Sequence, residues 1–445
     1  MHLSLVLACL LPYEVLALST KVIPDASLPL ATAAEGKYDV VFTSSPTSKQ
    51  VSYGILQDEA LVGKVHPLVK TGLEAPHGIA VDTDNGALFV TDALAKKIYR
   101  YPLGAQACSA PDCAHPYLVK VSGTRVEVLE NVESKWVALD SAGNLYYTDQ
   151  ADGAQSVNML SHALIEQIVR GVKSASSVSK TSEKDGLTLA NAENAKHLRH
   201  PVAAVAATNH HHSSDAAGIL TLYETGVDDH VTVPEGVAVS GDHVFWANRR
   251  ESDDDSSEET NASSTSSDSL DSSGSLISNG DSSSMLSLLS TSAGSVGEVA
   301  RGWTSFTKEV QDKKDAESTV VAATEAAPKG LTKTTNMLFF TTEKNSLYAV
   351  TAAGETVQLT DTFDEPRAVV WDGIGSLFIA DQGKGAIYTV PSGEAKKNRP
   401  VKKIFDSPGS FGVAVVSKTT ANASPHHSGA TSTDHDCWFF FCGWP

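Results

Sequence analysis

The sequence predicts an all-β fold, a six-bladed β-propeller of four-stranded antiparallel blades, closed by pairing the C-terminal strand with the N-terminal blade. Three observations carry this prediction. A motif of two short apolar runs recurs along the chain, further short strands follow most copies of it, and the two chain ends supply the missing parts of one more unit. Units of four short strands separated by turn residues are typical of propeller blades.

Each copy of the motif has a Gly or Ala beside a β-branched run, then a turn, then an apolar run that ends near an acidic residue or Asn. Small residues let first strands crowd around an axis, and a continuous apolar second run indicates a strand buried on both faces. The five copies start at Pro76, Lys135, Pro234, Pro328 and Pro366.

The sixth blade is assembled from the ends. Residues 411–416 have the pattern of a first strand with nothing after it, and residues 38–44 that of a second strand with nothing before it. Their pairing closes the ring and leaves no long strand edge exposed.

The predicted organisation is a signal peptide at residues 1–19, a linker at 20–36, the propeller at 37–416 and a tail at 417–445 with a Cys-x4-Cys loop. The propeller carries two insertions. Residues 161–217 begin with a helical pattern, whereas residues 251–295 are rich in Ser and Asp and are predicted to be disordered, because they cannot bury enough apolar surface.

Export is expected because residues 3–11 are apolar, Pro12 breaks the run, and Ala17 and Ser19 are small residues at signal-peptidase spacing. A short buried helix is the alternative. Cleavage after Ser19 would place the protein outside the cell or in an endomembrane lumen. No later segment reaches the roughly 18 apolar residues of a membrane span.

The cysteines left after cleavage form two pairs of equal spacing, Cys108/Cys113 and Cys437/Cys442. They predict two local disulfides, with one four-cysteine zinc site as the alternative. Two Asn-x-Ser sites are predicted glycosylation acceptors, Asn261 and Asn422.

The chain of 445 residues has a net charge of −19, part of which is local, since residues 251–259 hold six acids and no base. An acidic chain repels phosphate backbones, so nucleic acid is not an expected partner.

The recurring motif resembles the NHL repeat and the YWTD propellers and, more distantly, the SMP-30/gluconolactonase group. The resemblance covers residues 37–416 with interruptions. It implies the architecture and no single function, because receptors, lyases, lactonases and scaffold proteins share the motif.

Propeller sites lie at the mouth of the central channel, where the loops entering the first strands converge. Six residues are expected there: His77, Lys135, Glu235, Lys329, Arg367 and Phe411. The cations among them could attract an anionic ligand by their summed field, or could neutralise neighbouring acids.

Two metal sites are conceivable. His77 and Glu235 are natural ligands for Ca²⁺ or Zn²⁺. The motif Pro76-His77-Gly78 resembles one in the peptidylglycine amidating lyases, which supply histidines from several blades. The other candidate is the histidine cluster of the first insertion, for which a solvated loop is the alternative: His210, His211 and His212.

The acids that end the second strands recur in nearly every blade, which favours a structural role in bonding turn amides: Asp92, Asp149 and Asp381, with Asn248 in register. No familiar catalytic motif occurs, and the catalytic residues of any activity are unknown. The sequence therefore favours a secreted, monomeric binding or scaffold module for a protein, glycan or small anionic ligand, acting at the channel mouth or rim with no certain cofactor. A metal-dependent hydrolase or lyase of the lactonase/amidating-lyase type is the alternative.

Overall fold

The structure, a computed structural model, describes residues 38–108, 114–115, 117–151, 155–181, 219–226, 228, 230–249, 297–304 and 318–417. Six antiparallel sheets surround a central channel over these residues, so the predicted six-bladed β-propeller is confirmed. The predicted signal peptide, linker, Ser/Asp-rich insertion and tail lie outside the described residues, and their assignments stay predictions.

The blades follow one another in chain order. Blade 1 contains β1 (Asp39–Ser45), β2 (Gln50–Gln57), the short β3 (Ala60–Leu61) and β4 (His66–Val69). Blade 2 contains β5 (Pro76–Asp82), β6 (Ala87–Asp92), β7 (Lys97–Ala107), β8 (Tyr117–Val121) and β9 (Val126–Glu130). Blade 3 contains β10 (Val137–Leu139), β11 (Leu145–Asp149), β12 (Ser156–Leu160) and β13 (Ile219–Glu224), with the helix α1 (His162–Thr181) between the last two strands.

The second half of the ring is more regular. Blade 4 contains β14 (Val233–Ser240), β15 (His243–Arg249), β16 (Gly297–Trp303) and β17 (Thr319–Thr324). Blade 5 contains β18 (Pro328–Lys333), β19 (Met337–Thr342), β20 (Leu347–Thr351) and β21 (Thr356–Thr360). Blade 6 contains β22 (Pro366–Trp371), β23 (Ser376–Asp381), β24 (Ala386–Pro391) and β25 (Lys402–Asp406).

The ring closes through the last strand, β26 (Val413–Val416), which is the innermost strand of blade 1. It pairs antiparallel with β1, in a register that places Val413 opposite Thr43 and Val416 opposite Val40. The predicted closure by the two chain ends is therefore confirmed. The strands nearest the two ends, β1 and β26, are paired with each other.

Neighbouring first strands approach so closely that glycine is required at the points of contact. A Cβ on Gly236 would lie 2.0 Å from the Lys329 carbonyl oxygen, and one on Gly330 would lie 2.4 Å from the Arg367 carbonyl oxygen. Gly78 and Gly412 meet a carbonyl oxygen of the next strand in the same way. The glycine that recurs in the sequence motif thus reflects the close packing of first strands around the axis.

The second strands are buried along most or all of their length. Every residue of β1, β6 and β11 is buried, and large aromatic side chains such as Phe42, Phe89 and Tyr146 are almost fully excluded from solvent. A strand packed between two neighbouring blades has no solvent-facing side, so its sequence is continuously apolar instead of alternating.

The residues that end the second strands fix the loops before the first strands. Asp92 accepts hydrogen bonds from the amides of Glu74 (2.7 Å) and Ala75 (2.8 Å). Asp381 does the same in blade 6 and Asp149 in blade 3, whereas Asn248 holds the equivalent loop of blade 4. The predicted structural role of this series is confirmed.

Two features extend the repeat. Strand β7 runs well beyond its blade and pairs with β8 in a hairpin that the repeat pattern did not indicate. The helix α1 buries Leu164, Ile165 and Val169 against the core between blades 2 and 3. Cys108 follows β7 directly, but Cys113 lies outside the described residues, so their disulfide stays a prediction. In the described part of the chain, no helix has the length and hydrophobicity of a membrane span.

Candidate functional site

A polar cavity of about 660 Å³ lies at one mouth of the channel. The first strands reach it at their starts, and the loops that follow the second strands complete its wall. The structure brings all six predicted mouth residues together in this lining: His77, Lys135, Glu235, Lys329, Arg367 and Phe411.

Five further polar lining residues were not singled out from the sequence: Glu133, Gln150, Gln155, Arg249 and Gln382. Gln150 and Gln382 occupy the same place in the repeat, directly after a strand-end acid, so the repeat register could have identified both. Arg249 ends strand β15 and is exposed at the rim of the cavity.

Three aromatic rings separate the mouth cavity from the channel below. Phe411 and His77 line the mouth, with ring centroids 4.5 Å apart, whereas Trp136 lines the channel cavity of about 220 Å³ and lies 4.9 Å from Phe411. Trp136 occupies the position where blades 2, 4 and 5 have glycine, which places an indole next to the axis. The mouth is therefore a cavity with an aromatic floor.

Glu235 and Lys329 form a buried ion pair at the edge of this floor. Lys329 Nζ donates to Glu235 Oε1 at 3.0 Å, and both residues are less than a tenth exposed. Trp136 Nε1 donates to the other carboxylate oxygen at 3.3 Å. Lys329 also lies 3.9 Å from the half-exposed Glu343. The charge of Lys329 is thus neutralised by acids of the chain itself.

Arg367 is also engaged. Its Nε donates to Gln382 Oε1 at 2.8 Å, one terminal nitrogen lies 3.4 Å from Glu365, and the guanidinium carbon is 5.7 Å from the centre of the Phe411 ring. These contacts hold the guanidinium in place and compensate part of its charge.

Lys135 differs from the other two cations of the first-strand entries. Among the residues that the structure describes, its ammonium makes no ion pair and no hydrogen bond. It is half-buried and close enough to His77 to lower the pKa of that imidazole. A partly desolvated ammonium without a counter-charge favours binding of an anion.

His77 is held as a neutral imidazole. Its Nδ1 lies 2.7 Å from the Ala75 carbonyl oxygen, which can only accept, so Nδ1 carries the proton and Nε2 is left as an acceptor. Burial lowers the pKa of His77 most, and Lys135 and Arg367 lower it further, whereas the Ala75 carbonyl and Asp92 act in the opposite direction. The mouth thus contains an acceptor nitrogen beside a free cation.

The mouth residues do not fit a bound metal ion. Both oxygens of Glu235 are taken by Lys329 and Trp136, and Nδ1 of His77 is taken by a carbonyl. Within the described ranges, no three His, Cys, Asp or Glu side chains group as metal ligands do. The second metal candidate, with His210, His211 and His212, lies outside those ranges, as do Cys437, Cys442, Asn261 and Asn422.

Comparison with known proteins gives likeness of fold. No family model and no curated protein matches the sequence. The crystal structure of a nidogen/laminin complex matches with a TM-score of 0.47 and 12% identity, over 85% of this chain and 98% of that one. Apo AztD from Citrobacter koseri matches with a TM-score of 0.40 and 11% identity, over 85% and 98%.

A catalytically inactive variant of virginiamycin B lyase from Staphylococcus aureus with quinupristin matches with a TM-score of 0.37 and 11% identity, over 83% of this chain and 80% of that one. Likeness at this level carries no information about ligand or activity, because one propeller fold serves many functions.

Proposed function

We propose that this protein is a binding propeller that holds a small anionic ligand in the mouth cavity. The observation that carries the proposal is the charge arrangement around Lys135. Lys329 and Arg367 are compensated by acids or amides of the chain, whereas Lys135 faces the same cavity without a partner among the described residues. An anion there would gain a charge-assisted hydrogen bond at a site already partly desolvated.

The floor and the volume of the cavity support binding over passage. The contact between Phe411 and Trp136 lies between the mouth and the channel, so a ligand entering the mouth meets aromatic rings. A volume of about 660 Å³ falls in the range of small-molecule sites, about 300–1,000 Å³. The taken oxygens of Glu235 argue against the metal-dependent hydrolase or lyase.

The test is calorimetric titration of the protein with small carboxylates at low salt, using acetate, cyclohexanecarboxylate and glucuronate. The variant Lys135→Gln should weaken binding by about tenfold or more, the loss expected for a hydrogen bond to a charged group. The matched control is Lys70→Gln, an exposed lysine outside the cavity lining. The proposal fails if no carboxylate binds, or if the two variants bind alike.

We also propose that the protein is exported and carries the Cys108–Cys113 disulfide. The support is the apolar N-terminal segment and the position of Cys108 at the end of the β7 strand, where a small closed loop would join β7 to β8. N-terminal sequencing of protein recovered from the medium should begin at Thr20. A mature chain that still starts at Met1 would contradict export by this signal.

A further inference from the structure

We infer that the ligand of the mouth cavity is a sugar acid, a polyhydroxylated carboxylate of the hexuronate class. This inference rests on the proposed function and assigns the chemistry of its ligand. It comes from three glutamines, each of which is anchored at one end of its amide and lines the cavity.

The anchors leave complementary groups for a ligand. Gln150 Nε2 donates to the Pro234 carbonyl at 2.8 Å, which leaves Oε1 as an acceptor. Gln382 Oε1 accepts from Arg367 Nε at 2.8 Å, which leaves its Nε2 with two donor hydrogens. In the described part of the chain, neither of these remaining atoms has a hydrogen-bond partner.

Gln155 adds a second donor group. Its Oε1 accepts from Thr225 Oγ1 at 3.4 Å, so its Nε2 is the end that remains. His77 adds a second acceptor, because its Nδ1 proton is bound to the Ala75 carbonyl and Nε2 carries the lone pair. The cavity therefore offers fixed donors and fixed acceptors together. Hydroxyl groups match this set because each can both donate and accept.

The charges favour a carboxylate over a phosphate. Phosphate recognition typically uses an arginine fork, but of the two arginines in the lining Arg367 is already bound to Gln382 and lies near Glu365, whereas Arg249 is exposed at the rim. A second negative charge on the ligand would find Lys329 already paired with Glu235 and Arg367 already bound to Gln382. A single carboxylate beside Lys135 leaves these contacts undisturbed.

The test compares four ligands by calorimetric titration of the full chain: glucuronate, glucose, cyclohexanecarboxylate and methyl glucuronide. Glucuronate should bind at least about tenfold more tightly than glucose, which lacks the charge, and than cyclohexanecarboxylate, which lacks the hydroxyls. A site built to hydrogen-bond a substrate discriminates strongly against an analogue without those groups. Methyl glucuronide, in which the anomeric hydroxyl is blocked and the carboxylate kept, distinguishes the source. Equal binding indicates the end of a glycan, and lost binding indicates the free monosaccharide.

Two variants test the glutamines directly. Gln150→Met and Gln382→Met should each weaken glucuronate by about three- to tenfold, the loss expected for one neutral hydrogen bond. The affinity of Gln150→Met for cyclohexanecarboxylate should not change, whereas a purely structural defect would lower both affinities. Because Gln382→Met also frees the Arg367 guanidinium, its readout is the ratio of glucuronate affinity to cyclohexanecarboxylate affinity, which should fall. The control is Gln57→Met, an exposed glutamine at the end of β2 and outside the cavity lining.

The outcomes separate this inference from the proposed function. If cyclohexanecarboxylate binds as tightly as glucuronate, the sugar-acid assignment is overturned while the anion-binding mouth stands. If glucose binds as tightly, the carboxylate contributes nothing, and both the assignment and the proposed function fail. If no anion binds, the proposed function fails and the assignment fails with it. Glucuronate selectivity that is reduced by Gln150→Met and unchanged by Gln57→Met supports both.

Discussion

The buried ion pair of the mouth makes a sharp prediction about stability. Glu235 and Lys329 are both less than a tenth exposed and are joined at 3.0 Å, and Trp136 donates to the second carboxylate oxygen. Removing one partner of such a pair costs about 3–5 kcal/mol, because the other charge stays buried without compensation. We expect Lys329→Met to fall in this range, since Glu235 would keep only the indole donor.

The companion variant Glu235→Gln should cost less, about 3 kcal/mol, because Lys329 keeps a second acid, Glu343, at 3.9 Å. The double variant Glu235→Gln/Lys329→Met removes both charges. Replacing a buried pair by neutral groups of similar size is often close to neutral, so the double variant should recover at least about 2 kcal/mol of the summed single losses.

The assay is urea unfolding followed by tryptophan fluorescence, in which Trp136 reports on the mouth because its indole is bonded to Glu235. The coupling free energy comes from the four midpoints and slopes of the double-mutant cycle. If both single variants stay within about 1 kcal/mol of the parent and their effects add, the pair behaves as an exposed one. The reasoning about compensated and free cations at the mouth would then be wrong.

Three further predictions concern the ring. Gly236→Ala should destabilise by about 3 kcal/mol, because its Cβ would meet a backbone oxygen at 2.0 Å, whereas Gly375→Ala, which has open space, should change stability by less than about 1 kcal/mol in urea unfolding. The free energy of unfolding should also fall as the pH drops below 6.5. Burial is the main cause that lowers the pKa of three histidines in the folded protein, His66, His77 and His243, so the unfolded chain takes up protons first. A free energy of unfolding that stays constant between about pH 7.5 and 5.5 would contradict this. Peptide mass mapping without reduction should find Cys108 linked to Cys113, and a free thiol at Cys108 would refute the local disulfide.

Much of the fold was predictable because each blade repeats the same physical problem. First strands must crowd around an axis, so Gly78, Gly236 and Gly330 mark them, and second strands are buried on both faces, so they are continuously apolar. The incomplete units at the two ends predicted the pairing of β26 with β1. The hairpin of β7 and β8 was missed because it is an addition to one blade and leaves no trace in the repeat.

The positions of the mouth residues were predictable, but the ion pairs among them were not. The repeat register alone brought Lys135 and Lys329 to the cavity as equivalent cations. Which of them is neutralised depends on the acids within reach, and only the structure shows Glu235 bonded to Lys329. Trp136 was overlooked as a site residue because its importance comes from breaking the glycine pattern, which places an indole against Phe411.

The most direct test of the central claim is a crystal structure of the protein with glucuronate. The account predicts the sugar in the mouth cavity, with its carboxylate about 2.7–2.9 Å from Lys135 Nζ and its hydroxyls on Gln150 and Gln382. A cavity without ligand at saturating glucuronate would contradict the sugar-acid assignment, and a Lys135 ammonium bonded to an acid of the chain itself would contradict the claim that the mouth is an anion-binding site.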